Sequence, residues 1–132
     1  MRAILKSFLL SACFLILLSL LGCPFLRPNN PPILSIPDQT IRESDEKLLV
    51  NLLEYAEDPD NDPLTFQLTQ GDKGEIVKIH DEYRYVYYPE YGDAGTYGIT
   101  IEVADWREGR AEDTFVLTVE RFAEEPKNPS PS

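Results

Sequence analysis

The sequence predicts an all-β domain of about seven short strands packed as two sheets. Apolar and polar residues alternate over short runs between residues 33 and 121. Gly, Asp, Asn and Pro cluster between those runs, at the spacing of turns rather than crossovers. No helical period follows residue 22, and Tyr55-Ala56 supports at most one turn.

Each strand rests on its own pattern. Leu48 to Leu53 is apolar except at Asn51, as a buried strand requires. Leu64, Phe66 and Leu68 alternate with Thr65, Gln67 and Thr69, so one face is dry and the other wet. The turn Gly71-Asp72-Lys73-Gly74 leads into a weaker strand at Ile76-Val77. From Tyr83 to Tyr88 the residues are aromatic or β-branched apart from Arg84; Tyr83, Tyr85 and Tyr87 share one face, Val86 and Tyr88 the other. Tyr97, Ile99, Ile101 and Val103 line one side of a long strand, and Phe115, Leu117 and Val119 one side of the last.

Before the domain stands a different kind of segment. Arg2 and Lys6 precede an apolar run from Phe8 to Leu21, then Gly22 and Cys23. This charged, apolar, small-residue order is that of an export signal. Leu20-Leu21-Gly22-Cys23 resembles the lipobox of bacterial lipoproteins, whose new N-terminal cysteine receives lipid. A transmembrane anchor fits less well, because the run falls short of the ~20 residues that span hydrocarbon. An ordinary secretory signal is the other alternative, and each of the three carries the rest of the chain out of the cytoplasm. The expected organisation is a signal over 1–22, lipidated Cys23 and a Pro-rich spacer over 23–32, the sandwich over 33–121 and a disordered tail over 122–132. Extended at about 3.1 Å per residue, residues 24–32 reach only ~28 Å, close to the bilayer. The expected location is the cell envelope, lipid-anchored on the extracytoplasmic side of a bacterial membrane.

The net charge of −11 argues against attraction to nucleic acid or anionic lipid. Acidity on this scale serves solubility or divalent-cation binding. Of the two cysteines, Cys13 lies in the signal and Cys23 at the lipid site, so the domain is expected to stand without a disulfide.

Five segments in order resemble the cadherin-like and immunoglobulin-like modules of bacterial surface proteins: Asn29-Asn30-Pro31-Pro32, Ile36 to Glu43, Ala56 to Leu64, Ala94-Gly95-Thr96-Tyr97 and Val103-Ala104-Asp105. The resemblance implies an immunoglobulin-like sandwich over about residues 29–121. Within it, Asp93 to Ile99 matches a corner where a tyrosine bonds back to the turn, with Ile99 in place of the usual inter-sheet cysteine. Tyr97 is then structural. A glycine-rich loop usually follows the last aspartate, and Trp106-Arg107-Glu108-Gly109 departs from it.

In cadherin-type repeats the aspartates matching Asp58, Asp60 and Asp105, with a linker asparagine such as Asn30, hold calcium. The chemistry suits the ion, which takes ~6–8 oxygen ligands at about 2.3–2.6 Å. Two apart on an extended stretch, Asp58 and Asp60 should project to one side. The competing reading is a solvated turn, since Asp-Pro-Asp-Asn-Asp bonds its own backbone readily. An EF-hand loop fails: counted from Asp58, its required glycine and glutamate fall on Pro63 and Thr69. At the opposite pole Glu43 and Asp93 match part of a second set that needs a further repeat.

Enzymatic chemistry has no footing in this sequence. His80 is the only histidine, and no nucleophile elbow, His-Glu-x-x-His pair or phosphate-binding glycine loop occurs. Exposed tyrosines of the 83–91 cluster would suit a glycan or protein, although alternate members filling the core is the simpler expectation. Trp106, in a polar turn, and Tyr88 are the contact candidates. The reading is a lipid-anchored, non-catalytic spacer or binding module, stiffened by calcium at the pole where the chain enters. The alternatives are an accessory carbohydrate-binding lipoprotein and a subunit of an envelope complex. The sequence names no partner beyond the membrane reached through the lipid.

Overall fold

The structure, a computed structural model, describes residues 27–124. The expected signal 1–22, Cys23 and the tail beyond residue 124 lie outside those residues. Among the described residues no helix is long and apolar enough to cross a membrane.

Nine strands form: β1 (Ile33–Leu34), β2 (Gln39–Arg42), β3 (Leu48–Asn51), β4 (Ala56–Glu57), β5 (Leu64–Gln70), β6 (Glu75–Ile79), β7 (Glu82–Tyr87), β8 (Gly95–Asp105) and β9 (Arg110–Glu120). One sheet has the order β2-β9-β8-β5 and faces a second of order β3-β7-β6, with β1 and β4 as a small ribbon. All pairs are antiparallel except β2 with β9, which runs parallel from Gln39↔Leu117 to Arg42↔Glu120. The immunoglobulin-like sandwich expected from the sequence is the observed fold. Two elements exceed the expected seven because β1 and β4 are too short to show any periodicity. The strand expected over Leu48–Leu53 ends at Asn51, whose side chain accepts a hydrogen bond from Leu53 N and caps a 3₁₀ turn over Leu52–Tyr55.

The core forms where the inward residues of both sheets meet. Ile99, Ile101, Val103, Phe115 and Leu117 come from β8 and β9, Val50, Tyr85 and Tyr87 from the facing sheet. The Tyr85 and Phe115 rings touch edge to face, 5.3 Å between centroids, and so join the sheets directly. Each fully buried side chain contributes about 1.5–3 kcal/mol. Tyr85 keeps its hydroxyl satisfied by donating to the Lys73 carbonyl. That contact explains Gly74, whose φ of +89° and closeness to the Tyr85 ring (2.6 Å for an added Cβ) both exclude a side chain.

Two features fix one end of the sandwich. Tyr97 donates to the Asp93 carbonyl at 2.6 Å, the bond expected of this corner, and Ile99 is fully buried two residues on. At the same pole Glu43 accepts from Gly92 N and Ala94 N through Oε1 and from Phe122 N through Oε2. These amide donors hold its carboxyl below the usual range. The pole carrying Glu43 and Asp93 is therefore closed by protein donors, with Lys73 2.7 Å from Asp93. β8 runs from this distal pole to a proximal one, eleven residues or roughly 34 Å away.

Candidate functional site

The proximal pole gathers three loops. The β4–β5 loop carries Asp58, Asp60 and Asp62, the β8–β9 loop carries Asp105, Trp106 and Arg107, and the chain enters between them through Asn29 and Asn30. Asp58 shapes the first loop by itself. Its Oδ1 accepts from Asp60 N at 2.8 Å and Asp62 N at 3.1 Å, while its carbonyl accepts from Asn61 N. Asn61 completes the reversal in the left-handed region, at φ 56°. The stretch is a turn rather than extended backbone. Asp58 and Asp60 therefore do not act as a pair on one side.

The turn sorts the aspartates. Asp60 binds the entering chain, accepting from Asn30 N at 2.8 Å and Asn30 Nδ2 at 3.1 Å. Those two bonds hold its carboxyl below the ordinary aspartate value. Asp62 comes round instead to Asp58 and Asp105, and ligand oxygens of these three lie within 4.8 Å of one another. Of the expected ligand set, the structure brings Asp58 and Asp105 together and leaves Asn30 and Asp60 bonded to each other beside them.

Asp105 is anchored on all sides. Its Oδ1 accepts from Arg107 N at 2.7 Å and Gly109 N at 2.8 Å, and its Oδ2 from Asn29 Nδ2 at 2.8 Å. Burial by itself pushes its carboxyl up, but these donors and the Arg107 charge outweigh it and the net shift is downward. Gly109 is required here because an added Cβ would overlap Asp105 Oδ2 and lie 2.7 Å from Asn29 Nδ2. The departure from a glycine-rich loop at Trp106-Arg107-Glu108 leaves this one glycine where space demands it. Glu108 takes the left-handed turn at φ 69°.

Three oxygens at the centre have no donor. Asn29 Oδ1, Asp58 Oδ2 and Asp62 Oδ2 are buried and unpartnered, on residues of which Asp58 is only 7% exposed. A buried carboxylate oxygen without a partner is costly unless a positive charge meets it. A calcium shell of about 2.3–2.6 Å radius spans up to ~5 Å across, so oxygens within 4.8 Å of one another fit it. Every donor is a hard oxygen, which also suits that ion. Asn29, Asp58, Asp62 and Asp105 are the residues that could hold it. Asn29 and Asp62 escaped the sequence because alternate aspartates and adjacent asparagines look alike there; the reversal at Asn61 separates the aspartates, and the partners Asp105 and Asp60 separate the asparagines.

The contact candidates lie far apart. Trp106 is 64% exposed at the proximal pole, and its indole N–H donates to Asp62 Oδ1 at 2.8 Å. Tyr88 is 59% exposed beside an open depression of about 380 Å³ lined by Asp72, Lys73, Glu75, Tyr87 and Asp93, at the distal pole. Tyr85 and Tyr87 are buried and Tyr83 packs on the core, so the odd-numbered tyrosines form no platform with Trp106. His80 is exposed in the β6–β7 turn.

Comparison with known proteins agrees with this architecture. An endo-fucoidan hydrolase of glycoside hydrolase family 107 is similar at a TM-score of 0.58 and 21% identity, over 81% of this chain but 16% of its own. A second structure of such a hydrolase gives 0.57 and 18%, over 70% of this chain and 14% of that one. The chain thus spans about one-seventh of the hydrolases it resembles, and at these identities the likeness is one of fold. The PKD domain of the KIAA 1837 protein, at 0.50 and 15%, is covered over 98% of its length by 77% of this chain. No curated protein matches the chain. The bacterial Ig domain family matches residues 29–118, nearly all of the sandwich together with the entering Asn29 and Asn30. The chain belongs to the bacterial Ig domain family.

Proposed function

We propose that this chain is a non-catalytic spacer or binding module of the cell envelope, tethered by lipid on Cys23 and stiffened by calcium at its proximal pole. Bacterial Ig-like domains are usually extracellular or surface-exposed and typically non-catalytic, which supports the location and the absence of chemistry. One observation carries the reading. The entering chain is bonded to both acidic loops, through Asn29 to Asp105, Asn30 to Asp60 and the Arg107 guanidinium to the Arg27 carbonyl. A tether from Cys23 to Arg27 is four residues long, at most about 14 Å. A lipid on Cys23 would hold the proximal pole against the bilayer.

Asn29 joins the two halves of this device, since its amide nitrogen holds Asp105 while its oxygen is buried without a partner. Calcium there would supply the positive charge that the unpartnered oxygens of Asp58 and Asp62 lack. Asn29 would then be fixed from both ends of its amide, and the angle between tether and sandwich with it. Two measurements on the full chain test this. Mass spectrometry of the N-terminal peptide should find lipid on Cys23; a free thiol there removes the tether. Thermal unfolding with millimolar calcium should rise in midpoint with concentration, as binding to the folded state alone requires. An unchanged melting curve removes the calcium.

A second reading has one observation in its favour. Exposed Tyr88, beside the carboxylates of Asp72 and Glu75, offers a ring face and acceptors of the kind that bind a sugar. Glycan arrays test it, and loss of any signal in Tyr88→Ala identifies the face.

A further inference from the structure

Trp106 is covalently next to Asp105 and hydrogen-bonded to Asp62, so a single side chain spans the two loops of the acidic pole. Asp62 has two oxygens with different fates. Oδ1 accepts the indole N–H at 2.8 Å, and Oδ2 is buried without a partner, on a residue whose carboxylate comes within 4.8 Å of those of Asp58 and Asp105. Removing the indole bond frees the Asp62 carboxylate to turn towards solvent, where water satisfies both oxygens. The bond has a charged acceptor and is correspondingly strong. Meanwhile the ring it fixes is mostly exposed, although a tryptophan is costly to leave in water.

We infer that Trp106 is the positioning residue of the calcium site: its indole N–H holds Asp62 by Oδ1 and leaves the buried Oδ2 free for the ion, and occupancy of the site in turn immobilises the exposed ring. This rests on the calcium reading above and adds its control. Trp106 contributes no ligand atom. It sets the distance between the loops and orients one carboxylate, and by reciprocity the filled site holds the indole still. The filled site then restrains the exposed ring more tightly than the indole bond does alone.

Trp106 is the chain's only tryptophan, so its emission reports this position alone. The experiment is a calcium titration of the full chain followed by calorimetry and by tryptophan emission and anisotropy. Both signals should saturate together in the native protein. Trp106→Phe keeps a ring and removes the N–H; its calcium affinity should fall about tenfold, the effect of losing one hydrogen bond to a charged group. Its melting without calcium should drop only slightly, by less than the calcium-induced stabilisation it loses, which separates positioning from general support of the fold. Asp62→Asn should abolish the heat and the emission change. Heat without any change in emission or anisotropy, or a Trp106→Phe variant that binds calcium as tightly as the native chain, overturns the inference while the calcium site survives. Absence of heat in the native chain removes the site and this inference with it.

Discussion

Asp93 shows how much of the distal pole depends on one carboxylate. The Lys73 ammonium, the Tyr87 hydroxyl and Glu90 N all donate to it, and its carboxyl falls from 3.8 to about 2. A depressed folded value stabilises the protein above the unfolded pKa, and that contribution is lost as pH falls through the folded one. The melting temperature should therefore drop between about pH 4 and pH 2, with Glu43 adding to the loss because its shift has the same sign. Asp93→Asn should melt lower at neutral pH and lose less across that window. A native melting temperature flat across it contradicts the assignment. At the proximal pole Gly109→Ala is the corresponding single-atom test. The new Cβ displaces Asp105 or Asn29, so calcium should no longer raise the midpoint while the sandwich still unfolds cooperatively. The aspartate-rich loop was legible from its residue types. Which aspartates converge was not, because an Asx turn with one left-handed residue decides it.

Among the elements, the β8–β9 hairpin supplies most of the dry interior. Its register runs from Gly95↔Val119 to Ala104↔Arg110, aligning Ile99 with Phe115 and Tyr97 with Leu117. Ile101→Ala at its centre should cost about 2–5 kcal/mol in urea unfolding, the range for a fully buried aliphatic side chain. Val116→Ala on the exposed face of β9 should change little. A cost for Ile101→Ala no larger than for Val116→Ala would contradict the two-layer packing. These strands were plain in the sequence because a half-buried strand writes its burial as a period of two. The region from β1 to β2 was less plain. There Pro37 interrupts the chain, and side chains stand in for a ladder: Asp113 accepts from Ile36 N at 2.6 Å and Asp38 from Val116 N at 2.8 Å. Such cross-links depend on residues about 77 positions apart and leave no local pattern.

For the whole molecule, the two poles divide the work. The distal one is closed by its own donors on Glu43 and Asp93, and the proximal one keeps three buried oxygens free beside the entering chain. That asymmetry gives the domain a direction, with the end where the chain enters also the end that keeps buried oxygens free. Asn29, Asp62 and Asp105 meet at the pole where the chain enters. Residue-resolved amide hydrogen exchange of the full chain, with and without millimolar calcium, tests the stiffening most directly. The account predicts that calcium slows exchange at Asn30, Asp60 and Asp62, whose amides are bonded at this pole, and leaves the distal amides of Gly92 and Ala94 unchanged. Equal exchange at Asn30, Asp60 and Asp62 in both conditions would contradict it.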